Sequence, residues 1–385
     1  MDMLDAIKVL TWNKWVLEFL GIWPFNESHL IFSFFFFLIS SATCLVYADL
    51  IHRFSDFKYI IENLTESIVM TLVCCKIGLF RLNRRILNEI VLDIKDDFVK
   101  DLYDTEERKS IFLFYNKLSK TFVKFSIGIT TFSTILYYAQ PLIDHVMSYR
   151  NFTGNSSAAY VLPVHIRIFF NITELPLYYT IYAYEGILVP IVACGYAGTD
   201  CLLVTLTLHL CGQMSVLANQ VENVVGDLPS FPKQIRYLVI RHSRIISLSV
   251  KLRTAFAYFL LVQLVGATLV VCLAIYNILT NYATGLIAQL LTSIFYGFTV
   301  TVQLLGYSFI GERLMTESLK LSDAFYNCKW YVLSPMYVNL ISFCILRAQV
   351  PLVLTAADFY TFSLQSFTDV VKTSMTYLSV LRHFV

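Results

Sequence analysis

The chain predicts an all-α membrane protein of seven transmembrane helices, with a cytosolic N-terminus, an extracellular C-terminus and a helical cytosolic anchor region. Three observations carry that prediction. Hydrophobic residues make up 57% of the 385 and charged residues only 15%, at a mean hydropathy of +0.64, which is too apolar for a water-soluble domain. Charge-free stretches recur near the length of roughly 20 residues that crosses about 30 Å of hydrocarbon. Lys and Arg fall predominantly on one side of those stretches.

Taken in order, span 1 is Leu30 to Ala48 and span 3 is Phe125 to Ile143, neither with a charge. From Thr254 to Gly311 no residue is charged. That run is too long for one crossing, and Asn281-Tyr282-Ala283-Thr284-Gly285 is its polar break, so it reads as spans 5 and 6 joined by a short turn. Span 2 (Leu64 to Phe80) carries Glu66 and Lys76, span 4 (Leu175 to Thr199) carries Glu185, and span 7 (Phe359 to Leu381) carries Asp369 and Lys372. A charge at mid-bilayer costs about 3 kcal/mol on insertion scales, so these helices are expected to turn one side toward protein or water. Pro335 to Leu346 is apolar but short, and is expected to pack on the cytosolic side instead of crossing. The chain thus divides into a cytosolic segment 1–28, spans 1 to 6 over 29–310, a cytosolic anchor segment 311–358, and span 7 with the extracellular C-terminus over 359–385.

With the N-terminus inside, 21 of the 29 Lys and Arg lie in inner segments and five in outer ones, Arg53, Lys58, Arg150, Arg167 and Arg382. Glycosylation sequons agree: Asn151, Asn155 and Asn171 fall in the outer loop after span 3, and Asn63 at the outer edge of span 2. Asn26 lies in a sequon on the inner side and is expected to stay unmodified. Asp2, Asp5 and Glu18 and the lack of a small-residue cleavage site argue against a signal peptide over the first 28 residues, so span 1 is expected to direct insertion. None of the nine Cys falls in the long outer loop, so no extracellular disulfide framework is implied.

A G-protein-coupled receptor would have the opposite orientation. Such receptors also resemble one another in an outer-loop disulfide, an acidic-Arg-aromatic motif after span 3 and an Asn-Pro in span 7, and this chain has none of them. No repeated halves suggest a secondary transporter. No phosphate-binding Gly loop, paired metal-ligating His or nucleophile elbow suggests an enzyme, and no cofactor, metal or nucleic acid is called for. The inner segments are long and interleave acids, bases and apolar residues. Ile86, Ile90, Ile94 and Phe98 recur every four residues and describe one helix face. Leu319, Phe325, Tyr326 and Trp330 form a further apolar inner surface, which packs within the chain or covers a partner.

The C-terminal run from Pro351 reads as a nearly continuous apolar helix ending in Thr376-Tyr377, five mostly apolar residues, His383 and Phe384. This ending resembles the signature of the insect chemoreceptor superfamily, Thr-Tyr, five apolar residues, then Gln-Phe, with His383 in the Gln position. Pro351, Ala356-Ala357, Phe359-Tyr360, Ser363-Leu364 and Phe367 resemble the odorant receptors more than the gustatory ones. The likeness continues through Gly311, Leu314, Ser318, Leu319, Ala324, Tyr326 and Trp330, and more loosely through His242, Phe256, Gln263 and Cys272.

The resemblance implies a ligand-tuning subunit of a non-selective cation channel in the plasma membrane of an olfactory neuron dendrite, joined in a heterotetramer with the odorant co-receptor. Small volatile odorants would bind in the outer half of spans 2, 3, 4 and 6, at positions that include Ile68, Thr71 and Leu72; Ser133, Thr134, Tyr137 and Tyr138; Tyr182, Glu185 and Ile187; and Gln289, Thr292 and Tyr296. Glu185 would hydrogen-bond an alcohol or amine, or cap a water-filled vestibule. The constriction would match Val380, with an apolar ring near Phe384 and a polar position at His383, where an imidazole could titrate at the outer mouth. At 100° per residue, Thr373, Tyr377 and Phe384 lie within about 60° of Val380, and Arg382 about 160° away; Thr376 and Tyr377 read equally as packing residues. A gustatory receptor forming its own tetramer is the alternative reading.

Overall fold

The computed structural model describes residues 3–381 apart from 27, 55–56, 100–102, 104, 152–161, 169–174, 225–229 and 285–286. The described residues form ten α-helices and one two-stranded hairpin: α1 Met3–Phe19, α2 His29–His52, α3 Phe57–Leu82, α4 Arg84–Val99, α5 Glu106–Asn151, α6 Leu175–Glu222, α7 Phe231–Thr284, α8 Ile287–Asn327, α9 Pro335–Ala348, β1 Thr355–Ala356, β2 Tyr360–Thr361 and α10 Leu364–Leu381.

Every predicted span overlaps one of these helices, in the predicted order. By length and apolar composition, α2, α3, α6, α7 and α8 can each cross a bilayer. The two predicted spans that fall short of that measure are α5, whose crossing stretch is rich in Ser, Thr and Tyr, and α10, which carries Asp369 and Lys372. Four helices run on well past the membrane: α5 to α8 are 46, 48, 54 and 41 residues long. α8 passes through the boundary expected at 310–311 as one continuous helix.

The charges placed in spans 2 and 4 turn inward, as their cost requires. Lys76 of α3 is fully buried and bonds Asp200 of α6 at 2.7 Å. Its ammonium also lies 4.0 Å from the centre of the Tyr196 ring and 4.9 Å from that of Phe259. Toward the inner end, the Ile90 and Ile94 face of α4 is buried in the chain's own core together with Leu87 and Val91. Asp97 of the same helix accepts from Arg244 of α7 at 2.8 Å and lies 3.1 Å from the His209 ring. The predicted four-residue spacing is thus used within one chain. Phe325 is likewise buried, whereas Tyr326, Tyr331, Met336, Phe343 and Leu346 remain exposed around α9. That helix starts at Pro335 directly after Ser334, where proline's fixed φ suits a first turn that needs no N–H.

One prediction is corrected. Residues 351–363 are not helical, and the last helix begins at Leu364 instead of Phe359. Thr355 pairs with Thr361 and Ala356 with Tyr360 across a turn in which Ala357 and Asp358 take φ of 47° and 61°. The carbonyl of Phe362 then sits where a Cβ on Gly311 of α8 would be, so only glycine lets the hairpin approach that helix. Ser363 caps α10 by accepting from the Ser366 amide at 3.1 Å. A run of apolar residues hid this turn, because periodicity alone does not separate a short buried strand from a helix.

Candidate ligand-binding cavity

Between the helices at the end of the bundle where the α5–α6 connection lies, there is a cavity of about 310 Å³. Three helices supply its wall at a spacing of three and four residues: Glu62, Thr65, Glu66 and Val69 from α3; Thr130, Ser133, Thr134 and Tyr137 from α5; and Val189, Val192, Ala193 and Tyr196 from α6. α8 adds Gln289, Thr292, Ser293, Tyr296, Thr299 and Val300, and α7 adds Ala274, Asn277 and Asn281.

The roof is a bent, non-helical segment, Leu162 to His165, from the connection between α5 and α6. Two carboxylates hold it down. Glu66 accepts from the His165 amide at 2.9 Å and pairs with the His165 ring at 2.7 Å, and Glu185 accepts from the Val164 amide at 3.0 Å. Asn63 donates its side-chain amide to the His165 carbonyl at 3.4 Å, and the Arg167 amide donates to the Leu45 carbonyl of α2 at 3.1 Å. Burial opposes the charge on His165, but the Glu66 carboxylate outweighs it and the imidazole is pushed up to about 9. The roof is therefore tied by a charged pair at neutral pH.

The hydroxyls of the wall mostly donate to their own helices: Thr65 to Ile61, Thr134 to Thr130, Thr292 to Ala288 and Ser293 to Gln289, all at 2.7 to 3.0 Å. Ser133 and Thr299 join α5 to α8 at 2.6 Å. Hydroxyl oxygens used as donors keep lone pairs, so the wall is apolar in bulk with acceptors set into it. Tyr196 closes the floor; its hydroxyl accepts from Gln263 at 3.0 Å and its ring lies over the Lys76 ammonium.

Six of the expected pocket residues meet here, Ser133, Thr134, Tyr137, Gln289, Thr292 and Tyr296. The other seven lie elsewhere, Leu72 against Gly266 of α7. Ile68 packs with Ala267, Val270 and Val300, and Thr71 turns to α2, 3.0 Å from the Tyr47 hydroxyl. Tyr138 and Tyr182 each donate to the other's backbone carbonyl, at 2.8 and 2.7 Å, locking α5 to α6. Ile187 is 65% exposed on the outside of the bundle. Glu185 is fully buried and holds the roof. The roof and the contributions of α7 and of the inner turns of α6 were missed; the three-and-four spacing of small and hydroxylated residues on α3, α5 and α6 is the signal that marks most of this wall.

Asn63 also departs from expectation. It is fully buried and bonded to the roof, so the folded protein has no room for a glycan there. Asn151 ends α5, while Asn155 and Asn171 lie outside the described residues. On α10, Thr373 and Thr376 are exposed, with hydroxyls donating to Asp369 and Lys372. Tyr377 and Val380 fall on the same helix, and His383 and Phe384 lie outside the described residues.

A family model described as 7tm Odorant receptor matches residues 56–375. The chain belongs to the odorant receptor family. Among relatives, the receptor is 29% identical over 224 residues to Odorant receptor 82a of Drosophila melanogaster, a match over 57% of each chain. It is 25% identical to Putative odorant receptor 92a of the same species, over 78% of this chain and 73% of that one, and 27% identical to an Odorant receptor coreceptor of Ooceraea biroi over 38% and 30%. The receptor thus spans a little over half the length of Odorant receptor 82a. Its fold is that of the solved olfactory receptor OR5 from Machilis hrabei in complex with eugenol, with a TM-score of 0.84 at 18% identity, covering 99% of this chain and all of that one.

Proposed function

We propose that the receptor is the odorant-tuning subunit of a ligand-gated, non-selective cation channel, assembled with the co-receptor in the dendritic plasma membrane of an olfactory neuron. The roofed cavity carries this reading. It is of the size that encloses a small molecule, largely apolar, and fitted with acceptors for one polar group. The solved relative in complex with eugenol supports a small volatile ligand. The exposed apolar residues around α9 suit a subunit interface on the cytosolic side, in keeping with 21 of the 29 basic residues on that side.

In this reading an odorant enters from the outside and stabilises the arrangement in which α10 moves away from the channel axis. Thr373, Thr376, Tyr377 and Val380 face the conduction path, His383 and Phe384 stand at its outer mouth, and Asn151, Asn155 and Asn171 carry glycans. The test is whole-cell current with an odorant panel and G-protein signalling blocked. Rapid cation current is expected only on co-expression with the co-receptor. Current from the chain alone would indicate a homomeric, gustatory-like channel, and responses lost under the block would overturn conduction.

A further inference from the structure

The polar groups in the wall of the roofed cavity are not all satisfied. On α7, Asn277 is only 7% exposed, and its Oδ1 is buried without a hydrogen-bond partner among the described residues. On α8, the Oε1 of Gln289 is buried in the same condition. Both residues line the cavity, near the end of α7 and the start of α8. Asn281 and Ser293, one turn from each on the same helices, bond across at 3.5 Å and hold the two faces together. Other wall groups have company: Glu66 holds His165, Ser133 bonds Thr299, and the Tyr137 hydroxyl has the Glu66 carboxylate beside it. Thr130 of α5 also keeps a buried hydroxyl without a partner, but a hydroxyl turns to donate or accept and so selects neither. A carbonyl oxygen can only accept. Buried without a donor, it forfeits the bonds it makes in water, and a guest that brings a donor restores them. No residue lining the cavity is exposed, so the molecule held inside is what supplies that donor.

We propose that the receptor's ligands are neutral alcohols and phenols whose hydroxyl donates to Asn277 Oδ1 or Gln289 Oε1, and that these two carboxamides reject the same molecules once the hydroxyl is capped as an ether. The proposal rests on the odorant reading above and names the chemical class of its ligand. Val69 of α3 and Val189, Val192 and Ala193 of α6 give the hydrocarbon body an apolar wall to lie against. An ester or ketone brings an oxygen against an oxygen and leaves the acceptors unmet. A protonated amine would need a carboxylate to offset its burial, yet Glu66 is paired with His165 and Glu62 has an interaction of its own.

The experiment uses the complex with co-receptor, purified in nanodiscs, and pairs hexanol, octanol, geraniol and phenylethanol with their methyl ethers. An alcohol is expected to stabilise the complex against heat at a concentration about tenfold or more below that of its ether, the lower end of what an unmet buried acceptor costs. Asn277→Leu, close in size, is expected to bring each pair within about threefold, weakening the alcohol and strengthening the ether, because the acceptor is gone. Gln289→Met makes the same test from α8 if Asn277→Leu does not fold. The alcohol-to-ether ratio is read within one preparation, so a general loss of stability leaves it unmoved. Ethers equal to alcohols in the unmodified complex, a preference that survives both substitutions, or no stabilisation by any alcohol would each overturn the assignment. Whole-cell current with the same pairs separates the ligand class from the channel. Alcohol-selective stabilisation without current would overturn conduction and leave the class standing, whereas current evoked equally by both members of a pair would overturn the class and leave conduction standing.

Discussion

The outer and inner halves of this bundle are made largely of the same helices, yet one half is hollow and the other solid. α6 passes through both. Above Thr199 its Val189, Val192, Ala193 and Tyr196 face the cavity and Ile187 faces outward; below it, Leu202, Leu203, Val204, Leu206, Leu208 and Leu210 are all 2% exposed or less. Around the cavity the helices are held apart and tied by a few polar links, namely Ser133 to Thr299, Tyr138 to Tyr182, and the roof carboxylates. Inward they are packed side chain to side chain. The difference teaches that ligand preference and structural integrity are carried by different turns of the same helices, so a pocket can vary while the lower bundle stays fixed.

The Lys76–Asp200 pair stands at the border, and breaking it is the severest test. Lys76→Met leaves a buried carboxylate without its cation, which costs about 3–5 kcal/mol; surface expression and thermal unfolding of the purified complex should both collapse, and replacing Asp200 by Leu as well should restore most of the loss. Next comes the hollow half. Val69→Phe fills the cavity and is expected to lower odorant potency by tenfold or more, about 1.4 kcal/mol, with the unfolding temperature nearly unchanged. Equal losses of potency and stability would erase the distinction between the two halves.

The roof gives a subtler test. Attraction between His165 and Glu66 is present in full below pH 6.5, where the imidazole is charged whether docked or free, and it is lost as pH rises through about 9, where the docked ring gives up its proton. Hydrogen-exchange protection of the Val164 and His165 amides should therefore fall across that window, and His165→Gln should remove the pH dependence and speed current decay after odorant washout. Smallest of all is Thr65→Ala, which removes the Asn63 sequon without touching Asn63. No change in electrophoretic mobility is expected, since Asn63 is buried; a lost glycan would mean that this edge of α3 is open.

Much of the solid half was legible in the sequence. Charge-free length located spans 1, 3, 5 and 6, the cost of Lys76 in hydrocarbon required an inward partner, and the Ile90–Ile94 spacing gave the face of α4. The hollow half was legible only in part, because a cavity is where side chains do not meet, and no local pattern records an absence of contact. The charge of Glu185 in span 4 requires protein or water beside it, but its partner is a backbone amide from Val164, 21 residues earlier, which no side-chain pattern announces. The turn before α10 was hidden for a related reason: Ala357 and Asp358 supply backbone geometry usually left to glycine or asparagine.

α7 runs unbroken through 54 residues, about 80 Å at 1.5 Å per residue, from the cytosolic end of the protein to the amides beside the cavity. A rod of that length is a lever. If it pivots near its inner end, where Arg244 and Lys251 pin it to Asp97, Glu89 and Asp93, a tilt of about 2° carries its outer tip through about 2 Å over the roughly 60 Å beyond the pivot. A molecule small enough to be volatile needs to shift its walls by no more than that.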